Sequence, residues 1–209
     1  MDVMIVSNKQ ANISFNNHEA NQPQENAMPI NLTNKTGYQA YFTVLKGDLV
    51  VAERIELMAD ATVEIPTSPV TRSVVAETVL EDNIYTSAPL DFIGAAGFLA
   101  QVKQVNAQGT YNFELIEVGP TQPNQVQFQK TCLAPVVFSI TGNGKLLQSV
   151  FVNNSFETTF LNIAENYTFK AVVNGITTEP VQTNNPEATI SAVVDTSSLE
   201  NGYFTLVIS

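Results

Sequence analysis

The chain has no tryptophan, one cysteine, one histidine and nine basic residues among its 209. Each scarcity excludes some chemistry. A single cysteine, Cys132, forbids an intrachain disulfide, so stability has to come from a packed core. Cys132 precedes the apolar run 134–140 with only Lys130 nearby, which reads as a buried small side chain and not as a reactive thiol. One histidine and one cysteine cannot assemble a zinc site of the usual His/Cys composition within one chain. The histidine, His18, stands in an Asn-rich polar stretch with nothing to fix its tautomer, and any Ser-His-Asp triad would have to use it. Gly-x-Ser-x-Gly, the phosphate-binding Gly-x-x-x-x-Gly-Lys-Ser/Thr loop and Gly-x-Gly-x-x-Gly are all missing. Gly142-Asn143-Gly144 leads into a strand pattern, so it reads as a turn.

Positive charge is also scarce. Nine Lys and Arg stand against twenty Asp and Glu, for a net charge of −11. The basic residues are scattered along the chain, so the clustered phosphate neutralisation that nucleic acid demands is not available, and an anionic membrane surface is disfavoured for the same reason. Charged residues make up only 14 %, against about 25 % in typical soluble domains. Asn, Gln, Ser and Thr fill the polar positions, giving a surface suited to protein contacts or to sugar hydroxyls, although the absence of tryptophan removes the usual sugar-stacking platform. No stretch approaches the ~18 apolar residues of a membrane helix. The N-terminus carries neither a basic segment nor a long apolar one, so no signal peptide is expected. The expectation is synthesis in the cytoplasm with incorporation into a virion or other assembly.

What is present is β pattern. Residues 1–29 read as an N-terminal β-arm and linker: two short alternating runs, Val3–Ser7 and Ala11–Phe15, then a polar Pro-containing stretch. From Ile30 onward short apolar alternations recur between turn signals. They include Tyr41–Leu45, Leu49–Leu57, Ala61–Ile65, Ser73–Leu80, Ala100–Val105 and Tyr111–Val118. Gly119 to Asn124, with two prolines, marks a boundary. Beyond it come Pro135–Ile140, Leu146–Val152, Phe156–Ile163, Tyr167–Val173 closed by Asn174-Gly175, Ile190–Val194 and Tyr203–Ile208.

The two halves align by hand. Phe42-Thr43-Val44 matches Phe138-Ser139-Ile140, Lys35-Thr36 matches Lys130-Thr131, and Tyr111-Asn112-Phe113 falls near Tyr203-Phe204. The offset is about 95 residues, close to the ~100 residues of an immunoglobulin-like sandwich. The expectation is therefore all-β, with two tandem immunoglobulin-like or jelly-roll-type β-sandwich domains at residues 30–119 and 125–209. The alternative is one larger sandwich in which strands of both halves mix. A short buried helix or plug is expected at Pro89–Leu99, without counterpart in the second half; its sharper reading is a partner or membrane loop built on Phe92, Ile93, Phe98 and Leu99.

No catalytic residue, cofactor site or metal site is assigned. Carboxylates such as Glu53, Glu64, Glu77, Asp91, Glu114 and Glu117 alternate with apolar residues and read as solvent-facing strand positions, so a two-carboxylate glycosidase is disfavoured. Glu81-Asp82-Asn83 is the densest candidate for calcium and otherwise a turn. The function expected is a non-enzymatic assembly protein, such as a virion, tail, fibre or decoration subunit. Its partners would be copies of itself or other structural proteins, met through sandwich surfaces and through Val3, Ile5, Ile13 and Phe15 of the arm. The alternatives are a glycan-binding, lectin- or adhesin-like module and a membrane-active, toxin-like β protein using the 92–99 loop.

Overall fold

A computed structural model describes residues 29–105, 110–197 and 203–209. Among them every regular element is a strand. The first four are β1 (Ile30–Asn34), β2 (Ala40–Lys46), β3 (Leu49–Leu57) and β4 (Thr62–Ile65). Five more follow: β5 (Arg72–Leu80), β6 (Asn83–Thr86), β7 (Leu90–Phe92), β8 (Ala96–Val105) and β9 (Thr110–Val118). Then come β10 (Gln125–Lys130), β11 (Val136–Gly142), β12 (Lys145–Val152) and β13 (Thr158–Asn162). The last five are β14 (Tyr167–Val173), β15 (Ile176–Thr177), β16 (Val181–Thr183), β17 (Thr189–Val194) and β18 (Phe204–Ile208). The alternation read from the sequence explains them, since from Ala40 to Val44 in β2, from Val136 to Ile140 in β11 and throughout β14 every second residue is buried and its neighbours are not.

The strands form four sheets that pack as two sandwiches. In the first sandwich, the sheet β18-β17-β1-β4 faces β15-β14-β2-β3, with β16 added beside β14. In the second, β13-β10-β8-β9 faces β12-β11-β5-β6, with β7 added beside β5. The first core holds Leu32, Phe42, Phe169, Ile190 and Phe204; the second holds Phe98, Phe128, Phe138 and Ile140. Each such side chain contributes about 1.5–3 kcal/mol relative to exposure.

The expected division into 30–119 and 125–209 is overturned by the strand pairing. The Gly119–Asn124 stretch separates no cores, because β9 and β10 on either side of it both pair with β8. The first sandwich combines β1–β4 with β14–β18, and the second combines β5–β9 with β10–β13. Strands of the two halves are thus mixed, but into two cores and not one.

The internal repeat survives in this arrangement, with one shift: Lys130 takes the place of Asn34 and Thr131 that of Lys35, one residue off the match of Lys35-Thr36 with Lys130-Thr131. In the first sandwich Phe42 lies opposite Ala171; in the second Phe138 lies opposite Ala76. The parallel pair β1–β17 sets Leu32 beside Ile190, and the parallel pair β10–β8 sets Phe128 beside Phe98. Ala171 N donates to Thr178 Oγ1 (3.1 Å) and Thr178 N to Ala171 O (2.9 Å), while Ala76 N donates to Ser87 Oγ (3.0 Å) and Ser87 N to Ala76 O (2.9 Å). Lys35 N donates to Ala192 O (2.8 Å) as Thr131 N does to Ala100 O (3.1 Å). Each repeat therefore splits into a four-strand block and a five-strand block, and each sandwich takes one block from each repeat.

Two connections cross between sandwiches, residues 66–71 and 163–166. The β2–β3 turn is pressed against the second of them. Asp48 N donates to Asn162 O (2.8 Å), and Asn162 N and Nδ2 donate to Asp48 Oδ2 (3.1 and 2.9 Å). Gln148 on β12 bridges to the same turn, accepting from Val50 N (3.1 Å) and donating to Asp48 O (3.1 Å).

Candidate functional site

The positions singled out in the sequence divide into three groups. Val3, Ile5, Ile13, Phe15 and His18 lie outside the described residues. The 92–99 segment is corrected: it is neither helix nor free loop but the end of β7, a turn at 93–95 and the start of β8. Phe92 (6 % exposed) and Phe98 (1 %) meet edge-to-face at 5.2 Å inside the second core, and Leu99 is half-buried; only Ile93 is exposed. The segment also has a counterpart in β16 and β17, which pair with β14 and β1 as β7 and β8 pair with β5 and β10. The two short strands share no sequence match, because β16 is Val-Gln-Thr where β7 is Leu-Asp-Phe.

Three of the carboxylates, Glu81, Asp82 and Glu114, take part in a turn or an ion pair. Glu81-Asp82 forms the β5–β6 turn, with Asn83 Nδ2 donating to Glu81 O (2.9 Å). Glu114 pairs with Lys103, whose hydrogen bond holds the carboxyl below its usual range; Gln101 donates to it as well. The Cys132 thiol faces Ala134 O at 3.6 Å, and burial pushes it above its usual range, which suppresses the thiolate.

Two features remain after these assignments. The first is an apolar pair at one end of the second sandwich. Lys130 is fully buried, and its ammonium donates to Cys132 O (3.1 Å), Leu133 O (3.3 Å) and Ala134 O (2.9 Å), so the β10–β11 loop is wrapped around a charge. That loop points Leu133 outward at 89 % exposure. The β12–β13 loop is tied to it by Ser155 Oγ donating to Cys132 O (2.9 Å) and Phe156 N donating to Lys130 O (3.3 Å), and it presents Phe156 at 84 % exposure. Phe156 has φ +63°, a conformation that costs a bulky side chain free energy.

The first sandwich contains the same device with a different residue. There Asn34 is buried and donates to Tyr38 O (2.6 Å), Leu57 O (3.0 Å) and Met58 O (3.1 Å). Asp60 N donates to Asn34 O (2.8 Å), as Phe156 N does to Lys130 O, and Asp60 has φ +60°. Aspartate is among the few residues that tolerate this conformation. Phenylalanine is not, yet position 156 carries an exposed ring in this conformation.

The second feature is a cavity of about 260 Å³ at the junction of the sandwiches. Leu49, Val51, Ala52, Ile65, Leu147 and Ile163 supply its apolar wall, and residues 66–70 close one side. Arg72, Lys46 and Tyr167 are its polar members. Lys46 Nζ lies 5.6 Å from the centre of the Tyr167 ring and 4.0 Å from the exposed Glu165 carboxylate. Burial pushes Arg72 below and Tyr167 above their ordinary values, and each opposes part of the other's shift.

Compared with known proteins, the chain matches no family model, no curated protein and no solved structure. Among the described residues no three His, Cys, Asp or Glu side chains are grouped to hold a metal, and no helix is long and apolar enough to cross a membrane.

Proposed function

We propose that the chain is a non-enzymatic assembly subunit, of the virion, tail, fibre or decoration kind, built on two sandwiches of immunoglobulin-like plan. It meets neighbouring copies or other structural proteins through the Leu133–Phe156 end, aided by the arm residues Val3, Ile5, Ile13 and Phe15. The observation that carries this reading is Phe156: a large ring, almost fully exposed, kept in a backbone conformation where the sister loop uses Asp60. Unfavourable backbone geometry persists where function retains it, and rigid aromatic anchors dominate protein interfaces. The buried Lys130 clamp fixes the loop beforehand, which reduces the ordering cost of association.

Phe156→Asp installs the sister residue. The expected result is a protein at least as stable as the parent, by urea denaturation, with a lower solution mass by light scattering. Deleting residues 1–28 should lower the mass further. A full-length chain that is monomeric at all concentrations and unaffected by Phe156→Asp, alone and with candidate structural partners, would refute the reading.

A second reading, a glycan-binding module, is favoured by a shallow groove on the outer face of the first sandwich. Tyr38, Tyr41, Arg54 and Asn174 line it, and Arg54 lies 5.3 Å from the Tyr41 ring centre. A glycan array with no binding lost on Tyr41→Ala dismisses it.

A further inference from the structure

We infer that the junction cavity binds a small amphipathic carboxylate, with the anionic head on Arg72 and the apolar body against Leu49, Ile65, Leu147 and Ile163. The argument begins with Arg72. It opens β5, is only 9 % exposed, and its Nε has no hydrogen-bond partner. Among the described residues its one side-chain hydrogen bond runs from Nη1 to Val70 O at 3.4 Å, at the long limit of such a bond. No Asp or Glu pairs with it among the described residues. A buried cation without a counter-ion is costly, and a guanidinium does not escape by losing its proton.

This fold does not treat buried cations carelessly. Lys130, buried more deeply still, receives three carbonyl oxygens and leaves nothing unmet. In a chain of net charge −11 carboxylates are plentiful, and none among the described residues pairs with Arg72. The unmet Nε–H and the fork beside it suit a two-point carboxylate contact. The remaining wall is mostly aliphatic, and about 260 Å³ falls just below the range of drug-sized pockets. A short aliphatic acid satisfies both demands, whereas inorganic phosphate would leave the wall unfilled.

The test uses the full chain with octanoate, 1-octanol and inorganic phosphate, by calorimetry and by thermal unfolding. Octanoate should bind at one site per chain and raise the unfolding temperature, with octanol and phosphate each at least tenfold weaker. Arg72→Met should weaken octanoate at least tenfold while leaving the unliganded protein no less stable. Leu147→Phe, which fills the cavity and leaves Arg72 in place, should also abolish binding and serves if Arg72→Met does not fold. Equal binding of octanoate and octanol, octanoate binding unchanged by Arg72→Met, phosphate binding as tight as octanoate, or no binding of any probe would each overturn the inference.

Discussion

Seven non-glycine residues among those described adopt positive φ, and they show what single side chains decide here. Asn143-Gly144 and Asn174-Gly175 close hairpins with both turn residues in this region (φ +51° and +74°, +48° and +81°), the combination that matches strand twist. Glu81-Asp82 closes the β5–β6 hairpin with the same sign of φ (+49° and +64°) but with side chains less suited to it. Replacing the pair by Asn-Gly should raise stability by about 0.5–1 kcal/mol, seen as a higher urea midpoint at unchanged slope. A lower midpoint would mean the acidic pair makes a contact worth more than its backbone cost. The turn residues were legible in the sequence. Phe156 was not, because an apolar residue before Thr158–Asn162 reads as the start of a strand. Arg72 was equally hidden, as one basic residue among nine scattered ones, since no local pattern reveals a missing counter-ion.

At the scale of elements, the β2–β3 turn couples the sandwiches. Gly47 has φ +61°, and a Cβ placed there would lie 2.5 Å from Ala164 N and closer still to Asn162 O. Backbone atoms in a crossing connection cannot move aside cheaply. Gly175 has a similar φ (+81°) but faces open space. Gly175→Ala should therefore cost only its conformational penalty, about 1 kcal/mol. Gly47→Ala should cost about 1–3 kcal/mol beyond that, the usual range for overpacking. Denaturation of the two variants side by side checks this. Equal losses would show that the turn does not press on residues 162–166.

For the whole molecule, the exchange of blocks makes a sharp prediction about covalent continuity. Residues 119–124 are exposed and join two strands of one sheet. A protease site inserted there and cleaved after folding should leave both pieces together, at the same solution mass as the uncleaved protein, by size exclusion with light scattering. Only denaturant should part them, because each core holds strands from both pieces. Two independent tandem domains would separate on cleavage.

Most of the longer strands, the all-β class, the hairpin turns and the repeat follow from the sequence alone, since alternation and turn chemistry act over a few residues; β7, read as part of a helix or plug, and β10, which no pattern marked, do not. The choice of partner was left to the tertiary structure. Phe42 would pack on Ala76 much as it does on Ala171, and Ser87 and Thr178 make the same hydrogen bonds, so local pattern fits either pairing. What distinguishes them is the path between blocks. Residues 66–71 carry Pro66 and Pro69, whose fixed φ and missing N–H favour an extended crossing over a tight return. The β2–β3 turn then locks against residues 162–166, and the cavity beside Arg72 exists only where these two crossings meet.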